Sequence, residues 1–171
     1  MAGGFSRRLW AEWIDANVVD PSIEAAISQL EDTLIIDLFN IADTAWSTEE
    51  STPTVLDWSF INLGKAIKQI AEETNLFTLD DIIDYVILAQ IAVSDGTGYL
   101  IFRNYTDDVD IATLSTTASV KSNREAVRFT IDKSLLEQEK VFALYAYNDP
   151  GGTGYDTYVG KVQLIIRYRK R

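Results

Sequence analysis

The spacing of apolar residues changes period part-way along this chain. Over 6–18, Leu9, Trp10, Trp13 and Ile14 recur at helical intervals, with Arg7, Glu12 and Asp15 on other faces, which predicts an amphipathic N-terminal helix. Asp20-Pro21-Ser22 predicts a turn, and Ile23, Ala26, Ile27 and Leu30 a second short helical face. Leu34-Ile35-Ile36-Asp37-Leu38-Phe39 is rich in strand formers and predicts a buried strand within 33–41. The Ser/Thr/Glu-rich stretch 43–53 predicts a loop, and 55–61 another strand. Leu63, Ala66, Ile67, Ile70 and Ala71 then share one helical stripe, and Thr78-Leu79-Asp80-Asp81 has the composition of a helix cap.

From residue 85 onward the pattern is that of strands. Residues 85–93 are too β-branched to extend a helix comfortably, and Asp95-Gly96-Thr97-Gly98 joins them to 99–105 as a hairpin. Short strands follow at 111–114, around 127–131, at 141–147 and at 159–168. Val127, Phe129 and Ile131 point one way while Arg128 and Thr130 point the other. In the last strand Val162, Leu164, Ile166 and Tyr168 alternate with polar neighbours. The expected fold is therefore mainly β: an antiparallel β-sandwich or jelly roll over about 33–168, with short helices in the N-terminal half. Residues 1–18 form a helical arm in this division, and 19–171 a single β-sandwich domain with helical insertions.

Composition narrows the chemistry. There is no His and no Cys among 171 residues. The chain thus lacks the side chain that most often titrates near neutrality, any thiol nucleophile and any thiolate metal site. A serine nucleophile lacks its usual base, and no Ser-x-x-Lys occurs. Asp149-Pro150-Gly151-Gly152-Thr153-Gly154 lies between strands and lacks the Lys-Ser/Thr ending of a phosphate-binding loop. No enzymatic activity and no cofactor are expected. Acidic turns, of which Asp107-Asp108-Asp110 is the densest, match no calcium loop, so no metal site is assigned.

Net charge is −11, unevenly placed. Arg7, Arg8, Arg167, Arg169, Lys170 and Arg171 cluster at the two ends, while 9–95 holds seventeen acids against Lys65 and Lys68 alone. An acidic body repels phosphates and so disfavours nucleic acid as a partner. The basic ends either solubilise the termini or reach an acidic neighbour, another copy included. Trp10 and Trp13 must be covered by the protein's own core or by a partner subunit, since tryptophan is enriched among interface anchors. Trp10, Trp13, Arg7, Arg8, Arg169 and Arg171 are accordingly the candidate interface residues. No apolar run is long enough to cross a bilayer, and Glu12 interrupts the only stretch that could resemble a leader.

All eight tyrosines fall in 85–168 and all four tryptophans in 10–58. Tyr145 and Tyr147 share one strand face, opposite Phe142, Leu144 and Ala146. Left exposed, the tyrosine face would suit sugar stacking; buried, it would be one wall of the core.

The carriers Val86 to Val93, Asp95-Gly96-Thr97-Gly98, Val127 to Asp132 and Val141 to Arg171 resemble, in strand rhythm, the β-sandwiches of carbohydrate-binding modules and of viral capsid, turret and tail proteins. That resemblance covers about half the chain and implies a virion component, homo-oligomeric, with terminal arms gripping neighbours; it transfers no functional residue. The expected role is a non-enzymatic structural protein of a virion, acting through self-association and contacts with other structural proteins. The alternative is a glycan-binding module for attachment, extracellular or cytoplasmic in setting, with Tyr145 and Tyr147 as its contacts.

Overall fold

The computed structural model describes residues 31–41 and 46–171. The described chain forms strands β1 (Glu31–Phe39), β2 (Trp46–Thr48), β3 (Thr54–Val55) and β4 (Ile61–Asn62), helix α1 (Leu63–Thr74), and strands β5 (Ile82–Val93), β6 (Thr97–Asn104), β7 (Val109–Thr116) and β8 (Arg124–Phe129). Helix α2 (Lys133–Glu137) and strands β9 (Val141–Asp149) and β10 (Thr157–Arg169) complete it.

Two antiparallel sheets face each other. The first has the order β1-β10-β5-β8, with β2 also on β10; the second has the order β3-β9-β6-β7, with β4 also on β9. The pairs are nested: β1 pairs with β10, β3 and β4 with β9, β5 with β8, and β6 with β7. The described strands follow one long hairpin doubled over itself, so β1 and β10 lie side by side, and this is the jelly-roll topology. The physical cause is the period-two pattern. Tyr85, Ile87, Ala89, Ile91 and Val93 of β5 are buried, and so are Val162, Leu164, Ile166 and Tyr168 of β10. A one-residue slip in either strand would turn this set toward water.

The second sheet contributes Leu100, Phe102, Phe142, Leu144 and Ala146. Phe102 stacks on Phe142 at 5.2 Å and meets Phe129 of the first sheet at 5.9 Å. Helix α1 closes one end of this core with Leu63 and Ile67. Asn62 starts it by accepting from the Lys65 N–H at 3.0 Å, and Asn75, left-handed at φ 53°, ends it. Gly64 lies against the α2 backbone, where a Cβ would run into the Leu136 carbonyl.

Four details depart from the sequence reading. The strand expected to be buried at 33–41 is the edge strand β1, and it alternates: Ile35 is 55% exposed while Leu38 and Phe39 are covered. Alternation places Ile35 on the outward face, and among the described residues no strand pairs on the far side of β1. The loop expected at 43–53 contains β2, because Trp46, Ser47 and Thr48 pair with β10. The strand expected at 55–61 is two short pieces, β3 and β4, separated by a turn at Leu56–Phe60. Helix α2 lies in the second half, outside the N-terminal half where the helices were placed. It is short enough to show no periodicity and is nucleated by Asp132, whose side chain accepts the Ser134 N–H at 2.9 Å. The helices expected at 6–18 and 23–30 lie outside the described residues.

Candidate functional site

The open face of the β3-β9-β6-β7 sheet carries the tyrosines. Alternation along β9 sends Phe142, Leu144 and Ala146 inward, so Tyr145 and Tyr147 stand on the outer surface, each partly exposed. Antiparallel pairing places Tyr99 opposite Tyr147 and Ile101 opposite Tyr145. Tyr99 and Tyr147 stack with centroids 4.6 Å apart and planes within 7°. The Arg103 guanidinium lies 4.6 Å over the Tyr145 ring, a cation–π contact. Arg103 also donates through Nε to Asp110 at 2.6 Å and through Nη1 to Asp108 at 2.9 Å. The row is thus an ordered set of phenols beside an arginine and two carboxylates. Burial raises the Tyr145 and Tyr147 hydroxyls above their ordinary value, so both are neutral hydrogen-bond donors across the physiological range.

A second feature lies along β1 and the β3-β4 turn, the edges of the two sheets among the described residues. The turn between β3 and β4 is clamped onto β9 from beneath. Leu56 N–H donates to the Leu144 carbonyl at 2.8 Å, and the buried Ser59 hydroxyl donates to Leu56 O at 2.8 Å while accepting the Leu144 N–H at 3.0 Å. With Ser59 held inward, Trp58 is turned out: it is 88% exposed and left-handed at φ 60°. That backbone costs a bulky residue on the order of 1–2 kcal/mol. Beside it is a hollow of about 260 Å³ bounded by Asp37, Phe39, Asn40, Ile41 and Trp58. Two residues on, Phe60 packs edge-to-face on Tyr105 at 5.0 Å, and both stay exposed, as does Val109. Sequence reasoning missed Trp58 and Phe60 as surface residues. The available signal was Asp57 and Ser59 bracketing Trp58, too polar a setting for a central strand.

The acidic turns are engaged by the protein's own cations. Asp107 accepts from Lys140 at 3.0 Å and from Asn104 at 2.8 Å, which hold its carboxyl below the ordinary value, and Asp108 and Asp110 share Arg103. Asp84, buried on the outer side of β5, accepts from Arg167 Nε at 2.6 Å and lies 3.6 Å from Arg128; the arginine bonds hold its carboxyl low. Burial would raise the Asp81 carboxyl, but bonds from Thr78 and Arg171 outweigh it and hold it below the ordinary value.

Of the candidate interface residues, Trp10, Trp13, Arg7 and Arg8 lie outside the described residues. Arg169 is exposed near the end of β10. Arg171 is engaged within the chain: its backbone N–H donates to Leu76 O at 3.0 Å, and its guanidinium to Asp81 at 2.6 Å and Thr78 at 3.0 Å. The structure therefore brings Tyr145 and Tyr147 together and joins them to Tyr99 and Arg103, whereas Arg169 and Arg171 lie on a different part of the surface. No described helix is long and apolar enough to cross a membrane.

The strand order defines the class: a jelly-roll β-sandwich, an architecture that hosts capsid, lectin and cupin domains alike. No family profile matches the chain, and no curated protein matches it. Among solved structures, it is similar to the coat protein of Tobacco streak virus, at 14% identity over 81% of this chain and 85% of that one, with a TM-score of 0.39. The PRD1 vertex protein P5 shares 10% identity over 82% and 96%, TM-score 0.38. A protein of the Bacillus endospore appendages, described as disulfide-linked pili, shares 11% over 82% and 87%, TM-score 0.35. At these values the assignment to jelly rolls rests on the nested strand pairing.

Proposed function

We propose that the protein is a non-enzymatic structural subunit of a virion, assembling through contacts between copies and with other structural proteins. The observation that carries this reading is the set of exposed apolar side chains on β1 and the β3-β4 turn. Ile35, Trp58 and Phe60 are large, apolar and solvent-exposed along the two sheet edges β1 and β3-β4. Large apolar side chains displayed at sheet edges are candidate contact points, and tryptophan is among the residues most enriched at interface anchors. Backbone strain at Trp58 supports it further, because left-handed bulky residues persist where the surroundings enforce a displayed side chain. Light scattering on the full chain is the test. A defined multimer is expected, and Trp58→Ser should lower its mass or raise its dissociation constant at least tenfold while leaving the melting temperature nearly unchanged. A monomer at working concentrations in the parent protein would overturn the reading.

A second reading, attachment to a glycan, is favoured by one observation: the tyrosine row of β9 and β6 is on the outside. Aromatic faces beside hydrogen-bonding groups suit a polyol. Binding on a glycan array that is lost in both Tyr145→Ala and Tyr147→Ala, with the fold intact, is the expected result. Binding unaffected by either substitution would sink it.

A further inference from the structure

Helix α1, the short turn at Leu79–Asp81 and helix α2 enclose an open groove of about 370 Å³. Its floor is apolar, built from Ala71, Phe77 and Leu79, and Phe77 is itself anchored by stacking on Tyr168 at 4.3 Å. Carboxylates and lysines rim it, but the lysines are committed. Lys133 is paired with Asp80 and Glu137, and Lys68 lies 3.5 Å from Glu139. Glu72, exposed on the rim, has no ion-pair partner among the described residues. The groove therefore presents apolar area with an uncompensated negative edge.

The position of this groove matters. Register pairing sets Glu31, the first described residue, opposite Arg169, and Asp32 opposite Tyr168. Arg171, two residues past Arg169, is bonded to Leu76, Thr78 and Asp81 at the groove's border. The thirty residues before β1 thus enter the fold at the corner that holds the groove. They contain Leu9, Trp10, Trp13 and Ile14 at helical spacing, next to Arg7 and Arg8. The segment's apolar stripe and basic flank are complementary to the groove's apolar floor and acidic rim. Trp13 is eighteen residues before Glu31, a tether of roughly 30 Å if helical and about 60 Å if extended. A domain of this size has a radius of gyration of only about 14 Å, so the tether reaches an adjacent copy.

We propose that the groove between α1, Leu79–Asp81 and α2 receives the Trp10 and Trp13 face of the N-terminal segment of a neighbouring copy. The choice of the neighbour rests on the assembly reading above; exchange of an identical segment between copies is a low-cost route to association. Arg7 and Arg8 then face Glu72, so association weakens as salt rises.

The test uses the full chain with Trp13→p-benzoylphenylalanine as a photo-crosslinker, assembled from an equal mixture of isotopically heavy and light protein. Cross-links from position 13 to peptides covering 63–81, about half of them joining heavy to light, are expected. Cross-links confined to same-isotope pairs mean that the segment covers its own groove and overturn the proposal, as do cross-links to peptides elsewhere. Glu72→Lys, an exposed change that the fold tolerates, should weaken association several-fold and reduce its salt dependence; an unchanged salt dependence also counts against the proposal. Failure here is separable from failure of the assembly reading: a multimer whose position 13 cross-links elsewhere leaves that reading standing, whereas a monomer in light scattering removes it.

Discussion

The two sheets share one core but differ on their outer faces. On the β1-β10-β5-β8 sheet the outward residues tie strand to strand by charge. Arg167 of β10 bonds Asp84 of β5 and Glu31 of β1, Arg128 of β8 lies on Asp84, and Gln163 of β10 donates to Asp37 of β1 at 2.9 Å. On the β3-β9-β6-β7 sheet the equivalent positions carry rings: Tyr99 on Tyr147, and Tyr145 under Arg103. The same alternation that builds a common interior leaves the outward set free to differ. Charge clamps on one sheet serve the register of the first and last strands. On the other sheet the cross-strand ties combine the Tyr99–Tyr147 stack with the Arg103–Asp110 pair between β6 and β7.

The interior is where both sheets should fail together. Phe142, fully buried and stacked on Phe102, should cost about 3–5 kcal/mol when replaced by Ala, read by denaturant unfolding. Arg128→Ala, 63% exposed on the opposite side of the sandwich, should cost less than about 1 kcal/mol. Comparable losses would mean that the inner and outer faces have been assigned the wrong way round. Gly64→Ala, forced against the α2 backbone, should cost about 1–3 kcal/mol and loosen the α1–α2 corner.

The clamp on the first sheet should be sensitive to acid. The Asp84 carboxyl is held below its ordinary value by Arg167, so its contribution is complete above the unfolded value of about 4 and is lost as pH falls through the lower folded value. Asp84→Asn should cost about 1–3 kcal/mol at neutral pH and flatten the fall in melting temperature below about pH 4. A variant that keeps the parent's acid profile would show that the clamp adds nothing. The ring row should cost less than the core: Tyr147→Ala should lose about 0.5–1.5 kcal/mol from the Tyr99 stack beyond the area it buries. If it destabilised the fold as much as Phe142→Ala does, the tyrosine face would be structural and the contrast between the two outer surfaces would vanish.

Much of this was legible in the residues. The period of two in 127–131 and 159–168 identified which side chains of β8 and β10 face the core, and the glycines at 96 and 98 marked the hairpin; the β-branched run 85–93 announced a strand but not its inward face. The alternation in β9 showed that Tyr145 and Tyr147 lie on one face and Phe142, Leu144 and Ala146 on the other. It left open which face is buried, because both are aromatic enough to serve. That was decided by Leu100 and Phe102 across β6 and Phe129 across the sandwich, contacts between residues far apart in sequence. Position in the sheet was equally invisible: Leu34 to Phe39 looks like a buried strand by composition, but β1 is an edge strand among the described residues and Ile35 lies on its outward face. Trp58 is displayed because Ser59, bonded to Leu144 of β9 and to Leu56 of the turn, holds the turn from beneath. The carboxylates of Asp107, Asp108 and Asp110 appear as a cluster along the chain but are divided between Lys140 and Arg103 once the strands pair. Local pattern, then, determined the long strands and their alternating sets, since periodicity is a property of neighbours in sequence, while the short β2 and α2 left no such signal. Which set is core, which edge is open and which charges meet were decided by tertiary pairing, because burial and ion pairing depend on groups that the chain brings together only when it folds.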